Sequence, residues 1–199
     1  MRKLTRILIV GFLLSGAAIA GAAELFGRGK YETPDYKVVR ADGDFEIRSY
    51  PELVVVTAPM GVSGKESSNS AFRMLFQYIS GKNAASEKIA MTTPVFSSPR
   101  GSKGGKMSFV VPADVAKGGA PKANDESVKV SKRAPGTFAV YRYSGRWTKA
   151  REDKAQKKLQ EWMKDQGIRG SGSFEKANYD PPFTPGFLRR NEVMIRIKG

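Results

Sequence analysis

Neither cysteine nor histidine occurs in the 199 residues of this chain. Without cysteine the protein has no disulfide, no thiolate nucleophile and no thiolate metal ligand. Without histidine it lacks the commonest metal ligand and the usual general base near neutral pH. No pattern of paired carboxylates, phosphate-binding glycine loop or metal-ligand cluster stands out. These absences predict a protein that is not an enzyme and has no metal site built from its own side chains.

Long apolar runs are also scarce, and the one at the N-terminus is short. Ile7 to Ala20 is a run of 14 residues, whereas a membrane span needs about 20. Arg2, Lys3 and Arg6 precede it and small residues follow, which is typical of a secretory signal peptide. We expect residues 1–23 to be removed, leaving no stable membrane span in a periplasmic or secreted protein. An uncleaved anchor is the alternative.

The chain is strongly basic, with a formal net charge of +15. Removal of residues 1–23, which carry three positive charges, leaves about +12. Such a charge suits an anionic ligand or surface but does not identify one. Residues 24–34 are polar and contain glycine and proline, so we expect a flexible lead. Residues 35–199 are long enough for one domain with its own core.

The segment from Ser67 to Phe96 joins a predicted helix to a predicted strand. Apolar residues recur at helical spacing and stop at Gly81. They span roughly 200° of the helix surface, whereas a surface helix usually needs about 100°. The middle of this arc can cover a sheet while one edge serves a ligand. Ile89 to Phe96 predicts a strand broken at Thr92-Thr93-Pro94, which reads as a structural turn or as a ligand contact.

A second helix is predicted from Lys149 to Gln166, with Thr148 as N-cap and Gly167 at its end. Alternating or apolar segments predict seven further strands: Tyr36–Arg40, Phe45–Tyr50, Leu53–Met60, Met107–Val111, Val128–Arg133, Phe138–Tyr143 and Glu192–Lys198. Residues 112–124 are predicted to be a long connection. Phe45-x-Ile-x-x-Tyr50 and Phe138-x-Val-x-x-Tyr143 match, which suggests an internal duplication. We therefore predict an α+β fold with pseudo-two-fold symmetry, in which two helices cover antiparallel strands.

Four motifs carry a resemblance to a known family: Lys88-Ile-Ala-Met-Thr-Thr-Pro-Val95, Asp125-Glu-Ser-Val128, Tyr179-Asp-Pro-Pro182 and Arg189-Arg-Asn-Glu-Val193. Between about Tyr31 and Lys198 the chain resembles the SOUL haem-binding proteins. The resemblance implies a distorted antiparallel β-barrel flanked by two long α-helices. It also implies non-covalent binding of a b-type haem, or a related tetrapyrrole, in a shallow hydrophobic pocket along the first helix.

By position, the resemblance places the apolar face of that pocket on Phe72 and Phe76, with Leu75 and Ile79 in support. We expect Phe72, Phe76 and Ile79 to face the ligand. The family's basic contacts to the haem carboxylates fall on positions that are not basic here: Asn69, Gln77 and Thr184. Arg73, Arg189 and Arg190 are candidate substitutes, since a guanidinium pairs well with a carboxylate.

Only methionine or tyrosine could supply an axial ligand to iron in this chain. Met74 and Tyr78 lie on the edge of the first helix opposite Phe72 and Phe76, and they are the candidates. A core role is more common for such residues, so we expect hydrophobic stacking without iron ligation and a monomeric carrier. Two alternatives stay open: a binding module for another amphipathic small molecule, and a protein that binds a surface through charge. Export argues against a nucleic-acid partner.

Overall fold

The computed structural model describes residues 31–61, 65–98 and 104–198. The predicted signal peptide and most of the predicted flexible lead lie outside the described residues. The strands are β1 (Lys37–Asp42), β2 (Phe45–Tyr50), β3 (Leu53–Met60), β4 (Val95–Ser97), β5 (Gly105–Val110), β6 (Lys129–Arg133), β7 (Gly136–Tyr143), β8 (Gly170–Asn178) and β9 (Asn191–Ile197). The helices are α1 (Lys65–Ile79), α2 (Ala113–Gly118) and α3 (Lys149–Asp165), with a 3-10 turn at Gly186–Leu188. The predicted α+β class is confirmed.

All nine strands belong to one antiparallel sheet in the order β1-β2-β7-β9-β8-β4-β5-β3-β6. β1 and β6 are the two ends of this order, and no pairing joins them among the described residues. The expectation of a closed β-barrel is therefore wrong, because the sheet keeps two free edges. The antiparallel pairing and the two long helices are as predicted.

The strand order reads alike in both directions from its centre. Outward from the β4–β8 pair it runs β4-β5-β3-β6 on one side and β8-β9-β7-β2 on the other. In this order β3 matches β7, and each strand precedes a long helix. The sequence comparison aligned Phe45–Tyr50 with Phe138–Tyr143 instead, but these segments are adjacent strands that pair with each other. Internal duplication stays a prediction.

Seven predicted strands are present with ends within two residues of those expected. The strand expected over Ile89–Phe96 is wrong in its first part, since only Val95–Ser97 joins the sheet. β8 was not predicted, because its sequence GSGSFEKAN is rich in glycine and serine, which have low strand propensity. Its pairing with β4 and β9 supplies the stability that the local sequence lacks. The short helix α2 lies in the predicted long connection.

The Thr92-Thr93-Pro94 segment is buried and bound to its surroundings on both sides. The Thr92 hydroxyl donates to the carbonyl oxygen of Val110 at 2.6 Å. The Thr93 amide donates to the carbonyl oxygen of Glu32 at 2.9 Å, and the Thr93–Pro94 peptide bond is cis. These contacts attach the start of β4 to the end of β5 and to the beginning of the described chain, as the structural reading of this motif expected.

Alternation along the strands creates three apolar clusters. α1 packs on β3 and β5, and α3 packs on β7 and β9. Val56 points to the α1 cluster, whereas its neighbour Val55 points to a cluster on the other face of the sheet. Ala139 and Val140 make the same division beside α3. Because both faces of the central strands are covered, the surface of α1 that points away from the sheet is where a ligand can reach the first helix.

The second helix begins and ends as its sequence predicts. Thr148 Oγ1 accepts a hydrogen bond from the Arg151 amide at 3.2 Å, and Gly167 has a φ of +67°. The stripe of Ala155, Leu159, Trp162 and Met163 is buried. Within the described ranges, no helix is both long and apolar enough to cross a bilayer.

Candidate functional site

Helix α1 carries two phenylalanines that stand out from its buried face. Phe72 is 40% exposed and Phe76 is 51% exposed. At about 100° per residue, an i, i+4 pair lies only about 40° apart around a helix. The two rings stack nearly parallel, with centroids 6.1 Å apart and an interplanar angle of 12°. They form a flat apolar surface, which we call the phenylalanine platform.

The platform is fixed to the sheet at one end. The Phe72 ring meets the buried ring of Phe109 on β5 edge to face, with centroids 5.4 Å apart. Leu75 is fully buried and Ile79 is only 7% exposed, and both belong to the cluster between α1 and the sheet. They support the helix from below, and Ile79 offers a ligand far less surface than the sequence suggested. Their part in ligand binding stays a prediction.

The two candidate axial ligands lie on the other flank of α1, as predicted. The buried Tyr78 hydroxyl donates to the carbonyl oxygen of Pro121 at 2.8 Å. Burial, with a smaller contribution from the charge of Glu87, raises the pKa of Tyr78. Met74 is partly buried, and its Sδ accepts a hydrogen bond from the Ser127 hydroxyl at 3.4 Å. Both side chains are engaged within the protein, which disfavours a tyrosinate or thioether directed at a ligand on the platform.

The three candidate cations do not come together. Arg73 is exposed on α1, about 60° around the helix from Phe76. Among the described residues it has no ion-pair partner. Arg189 is instead used inside its own loop, where Nε donates to the carbonyl oxygen of Thr184 at 2.8 Å and a terminal nitrogen donates to that of Pro182. Arg73 is therefore the candidate cation placed beside the platform and not engaged by a described residue.

Arg190 belongs to a buried charged cluster that sequence reasoning found only in part. Its Nε donates to Glu192 at 2.8 Å, a terminal nitrogen donates to the Tyr36 hydroxyl at 3.2 Å, and its guanidinium lies over the Tyr179 ring. Arg48 binds the same carboxylate in a bidentate pair, at 2.7 and 2.9 Å. Arg48 and Glu192 are 1% and 0% exposed. This Arg48–Glu192–Arg190 cluster lies inside the fold and offers no free charge to a ligand.

The electrostatics of the cluster keep Glu192 ionised. Burial alone would raise the pKa of the Glu192 carboxyl, but the hydrogen bond from Arg48 and the charges of Arg190 and Arg48 outweigh it. Its pKa is lowered as a result. Burial also raises the pKa of Tyr179 well above its usual value, so that hydroxyl stays protonated and donates to Glu192 at 3.1 Å. The signal in the sequence was the Arg189-Arg-Asn-Glu192 motif, whereas nothing in β2 marked Arg48 as buried.

The positions where the resemblance expects basic contacts are neutral and lie in different environments. Asn69 and Gln77 are exposed on α1. Thr184 is 1% exposed, and its hydroxyl has no hydrogen-bond partner among the described residues. In the same part of the chain, no group of three or more acidic side chains is placed to hold a metal ion. The chemistry that α1 offers is thus an apolar flat surface with one flanking cation.

Solved structures with the same fold have very different sequences. The crystal structure of the EcmrR C-terminal domain matches with a TM-score of 0.57 and 14% identity, covering 82% of this chain and 98% of that chain. A hydrolase from Listeria innocua matches with a TM-score of 0.52 and 12% identity, covering 80% and 94% of the two chains. At such identities these similarities show the fold alone. No curated protein matches the sequence.

A family model agrees with the motifs and the helix described above. The model described as SOUL heme-binding protein matches residues 31–196. That description names a ligand, haem, rather than a reaction. It supports haem or a related tetrapyrrole as the molecule bound. The match spans the whole sheet and the three helices, and the chain therefore belongs to the SOUL heme-binding protein family.

Proposed function

We propose that this protein is an exported, monomeric and non-enzymatic carrier of haem or a related tetrapyrrole. The ligand lies flat on the phenylalanine platform and is not ligated through its iron by the protein. The observation that carries the proposal is the pair of parallel, half-exposed rings of Phe72 and Phe76 in a member of a haem-binding family. A planar macrocycle is the shape that such a pair of rings matches best.

Apolar burial sets the scale of the affinity. Covering the exposed parts of two phenylalanine rings removes roughly 150–200 Å² from water, worth about 4 kcal/mol. A similar area of the macrocycle is buried, and association costs at least about 4 kcal/mol. The platform alone therefore supports a dissociation constant near the millimolar range. Pairing of a haem carboxylate with Arg73 adds about 1.5–3 kcal/mol, which brings the expected dissociation constant to tens of micromolar.

The chain's own residues suit reversible carriage. Haem supplies a flat apolar face and two carboxylates; Phe72 and Phe76 bind the face and Arg73 orients the carboxylates. Tyr78 and Met74 stay engaged with Pro121 and Ser127. With no histidine or cysteine in the chain, binding rests on contacts that form and break without a change at the metal. Redox chemistry is not part of the proposal.

Titration with haemin, followed at the Soret band, tests the proposal. We expect a saturable shift at micromolar haemin, and its absence would exclude haem as the ligand. Replacing Phe72 and Phe76 with aspartate should abolish the shift, because two carboxylates would repel both the apolar face and the haem carboxylates. The matched control is the same double change at Phe183 and Phe187, which are 75% and 77% exposed and should leave the shift unchanged. Equal loss in both variants would show that the platform is not the site.

A second candidate is a different amphipathic small molecule held on the same platform. The neutral residues Asn69, Gln77 and Thr184 favour it, since they stand where family members present positive charge. Competition of haemin with protoporphyrin and with unrelated hydrophobic anions separates the two. Displacement by protoporphyrin alone would support a tetrapyrrole, and displacement by every hydrophobic anion would support the broader module. A binding constant that falls steeply with salt would instead favour the charge-driven alternative.

Export is proposed from the N-terminal sequence, with its basic residues, short apolar run and following small residues. Cell fractionation with N-terminal sequencing of the mature chain checks this part of the proposal. Recovery from the periplasm or medium with a new N-terminus near residue 24 is expected. Recovery of the full-length chain from the membrane fraction would favour the uncleaved anchor.

A further inference from the structure

One edge of the sheet gathers several connections of the fold. Val95, Asn178, Asn191 and Tyr143 lie in one row across four adjacent strands, at the start of β4, the end of β8, the start of β9 and the end of β7. The segments that follow or precede these residues therefore emerge at the same edge. They include residues 144–148 before α3 and residues 179–190 between β8 and β9, and we call this the loop edge.

The loop edge carries the most exposed large apolar side chains in the described part of the chain. Phe187 is 77% exposed and Phe183 is 75% exposed, both more than either ring of the phenylalanine platform. Trp147, in the neighbouring segment, is 41% exposed. No stacking partner is found for Phe183 or Phe187 among the described residues. Single exposed apolar residues are common, but three large aromatic side chains at one edge form a surface that calls for an occupant.

The loop that presents the two phenylalanines is held in place. Arg189 donates to the carbonyl oxygens of Thr184 and Pro182 from inside the loop. The Arg190 amide donates to Asp180 at 2.5 Å. Because the backbone is fixed in this way, the rings can insert into an apolar phase with little further loss of conformational entropy.

The two segments of the loop edge also touch each other. The Gly145 amide donates to the carbonyl oxygen of Gly186 at 2.9 Å, and the Asn191 side-chain amide donates to that of Gly145 at 2.8 Å. A Cβ at Gly186 would lie 3.1 Å from Arg146 Cγ. The absence of a side chain at Gly186 therefore lets Arg146 approach the phenylalanine loop closely, and cationic and aromatic side chains share one surface.

Charge at this edge is of one sign. Residues 144–151 and 181–190 together contain five arginines and lysines and no acidic residue. Some of these cations already have local contacts: Lys149 pairs with Asp153, and Glu192 holds Arg190. Arg146 and Arg151 are exposed. Aromatic side chains beside basic ones match the interface of an anionic bilayer, where rings enter the headgroup region and cations pair with lipid phosphates.

The chain enters the described fold at the same edge. Glu32 pairs with Thr92, immediately before the row that begins at Val95, and its carboxylate accepts from the Ala113 amide at 2.9 Å. The basic residues and the apolar run of the N-terminal sequence precede this point along the chain. An N-terminal segment in contact with a membrane would thus leave the loop edge as the part of the fold that faces it.

From these observations we propose that the loop edge docks on the surface of an anionic phospholipid bilayer, with Phe183 and Phe187 inserted among the headgroups. The proposal does not depend on the proposed function, because the platform on α1 is a different surface. It gives the carrier a defined orientation at a membrane.

A local probe is the appropriate test, since the apolar N-terminal run could itself attach the full chain to vesicles. The full-length protein carries Phe187→Trp in a Trp147→Phe background, so that the remaining natural tryptophan is the buried Trp162. Vesicles contain phosphatidylcholine and phosphatidylglycerol, with brominated acyl chains as a contact quencher. We expect a blue shift and at least about twofold quenching of the new tryptophan, which disappears with pure phosphatidylcholine and in about 0.5 M NaCl.

The matched probe is Phe72→Trp in the same background, and it should not be quenched. If both probes stay unquenched while the protein sediments with vesicles, the loop edge does not dock and the proposal is wrong. Blue-shifted emission of the Phe187→Trp probe before vesicles are added would mean that the chain itself covers the surface, which also overturns it. Loss of haemin binding in the Phe183, Phe187 double variant would assign the loop to the ligand site instead.

Discussion

Helices α1 and α3 cover corresponding parts of the sheet but treat their large aromatic side chains in opposite ways. On α3, Trp162 is 8% exposed, stacks on Phe45 with an interplanar angle of 6°, and donates through Nε1 to Asp42 at 2.8 Å. On α1, Phe72 and Phe76 stack only with each other on their outer side and stay about half exposed. The same scaffold thus buries an aromatic residue where it serves stability and exposes a pair where stability does not require it.

The exposed pair costs the folded state apolar surface that α3 avoids exposing. Leu75 and Tyr78 already fill the interface of α1 with the sheet, so the helix would dock without either phenylalanine ring. The difference between the helices indicates that the α1 rings are kept for an intermolecular contact. It also yields predictions in which stability depends on α3 and ligand affinity depends on α1.

The largest expected effect is on stability at α3. Trp162→Ala should lower the free energy of unfolding by about 3–5 kcal/mol, because it removes a buried ring and leaves a cavity. Phe76→Ala should cost about 1 kcal/mol or less, since half of that ring is already in water. Urea denaturation of both variants measures the difference. Equal losses would mean that the two helices use their aromatic residues alike, and the argument for the platform would fail.

A smaller effect concerns the charged cluster on the face of β2 and β9 that points away from α3. Arg48→Met should cost about 3 kcal/mol, because Glu192 keeps Arg190 but loses its bidentate partner in a buried site. Lys132, whose pair with Glu52 is exposed, is the matched control, and Lys132→Met should leave stability unchanged. A loss as small as that of the control would show that the cluster does not stabilise the α3 half.

The same cluster predicts a dependence on pH. Since the folded-state pKa of Glu192 lies below its ordinary value of 4.5, its contribution to stability is present above about pH 4.5 and is lost as the pH falls through the folded-state value. Glu192→Gln should therefore flatten the acid limb of the stability curve. An acid limb identical to that of the unchanged protein would assign the pH dependence to other carboxyl groups.

Sequence reasoning recovered the parts of this molecule in which local pattern and tertiary packing agree. The stripe on α3 and its Thr148 cap are such cases, since period and end signals suffice to define a surface helix. Arg48 is the opposite case. In β2 it shares a face with Glu46 and Tyr50, and the alternation of FEIRSY suggests that this face meets solvent, whereas a second layer of the fold covers it. Burial of a charge depends on partners 144 residues away.

The site shows the same limit in a different form. The spacing of Phe72 and Phe76 was enough to place both rings on one edge of α1, because i and i+4 are neighbours on any helix. Ile79 could not be placed so well. It lies only about 20° from Phe72 around the helix, but towards the sheet, and the depth of the sheet contact decides that it is buried. Arg189 was equally unreadable, because its bonds to carbonyl oxygens depend on the path of the loop.

The smallest expected effect separates a local charge contact from the overall positive field. Arg73→Gln should weaken haemin binding about tenfold, because a charge-assisted contact beside the platform is worth about 1.5 kcal/mol or more. Lys154→Gln removes the same charge from an exposed position on α3 and should leave the affinity unchanged. Because the two variants have equal net charge, long-range attraction is the same in both. A tenfold loss in both variants would mean that the field of the whole protein, and not the flank of α1, holds the carboxylates.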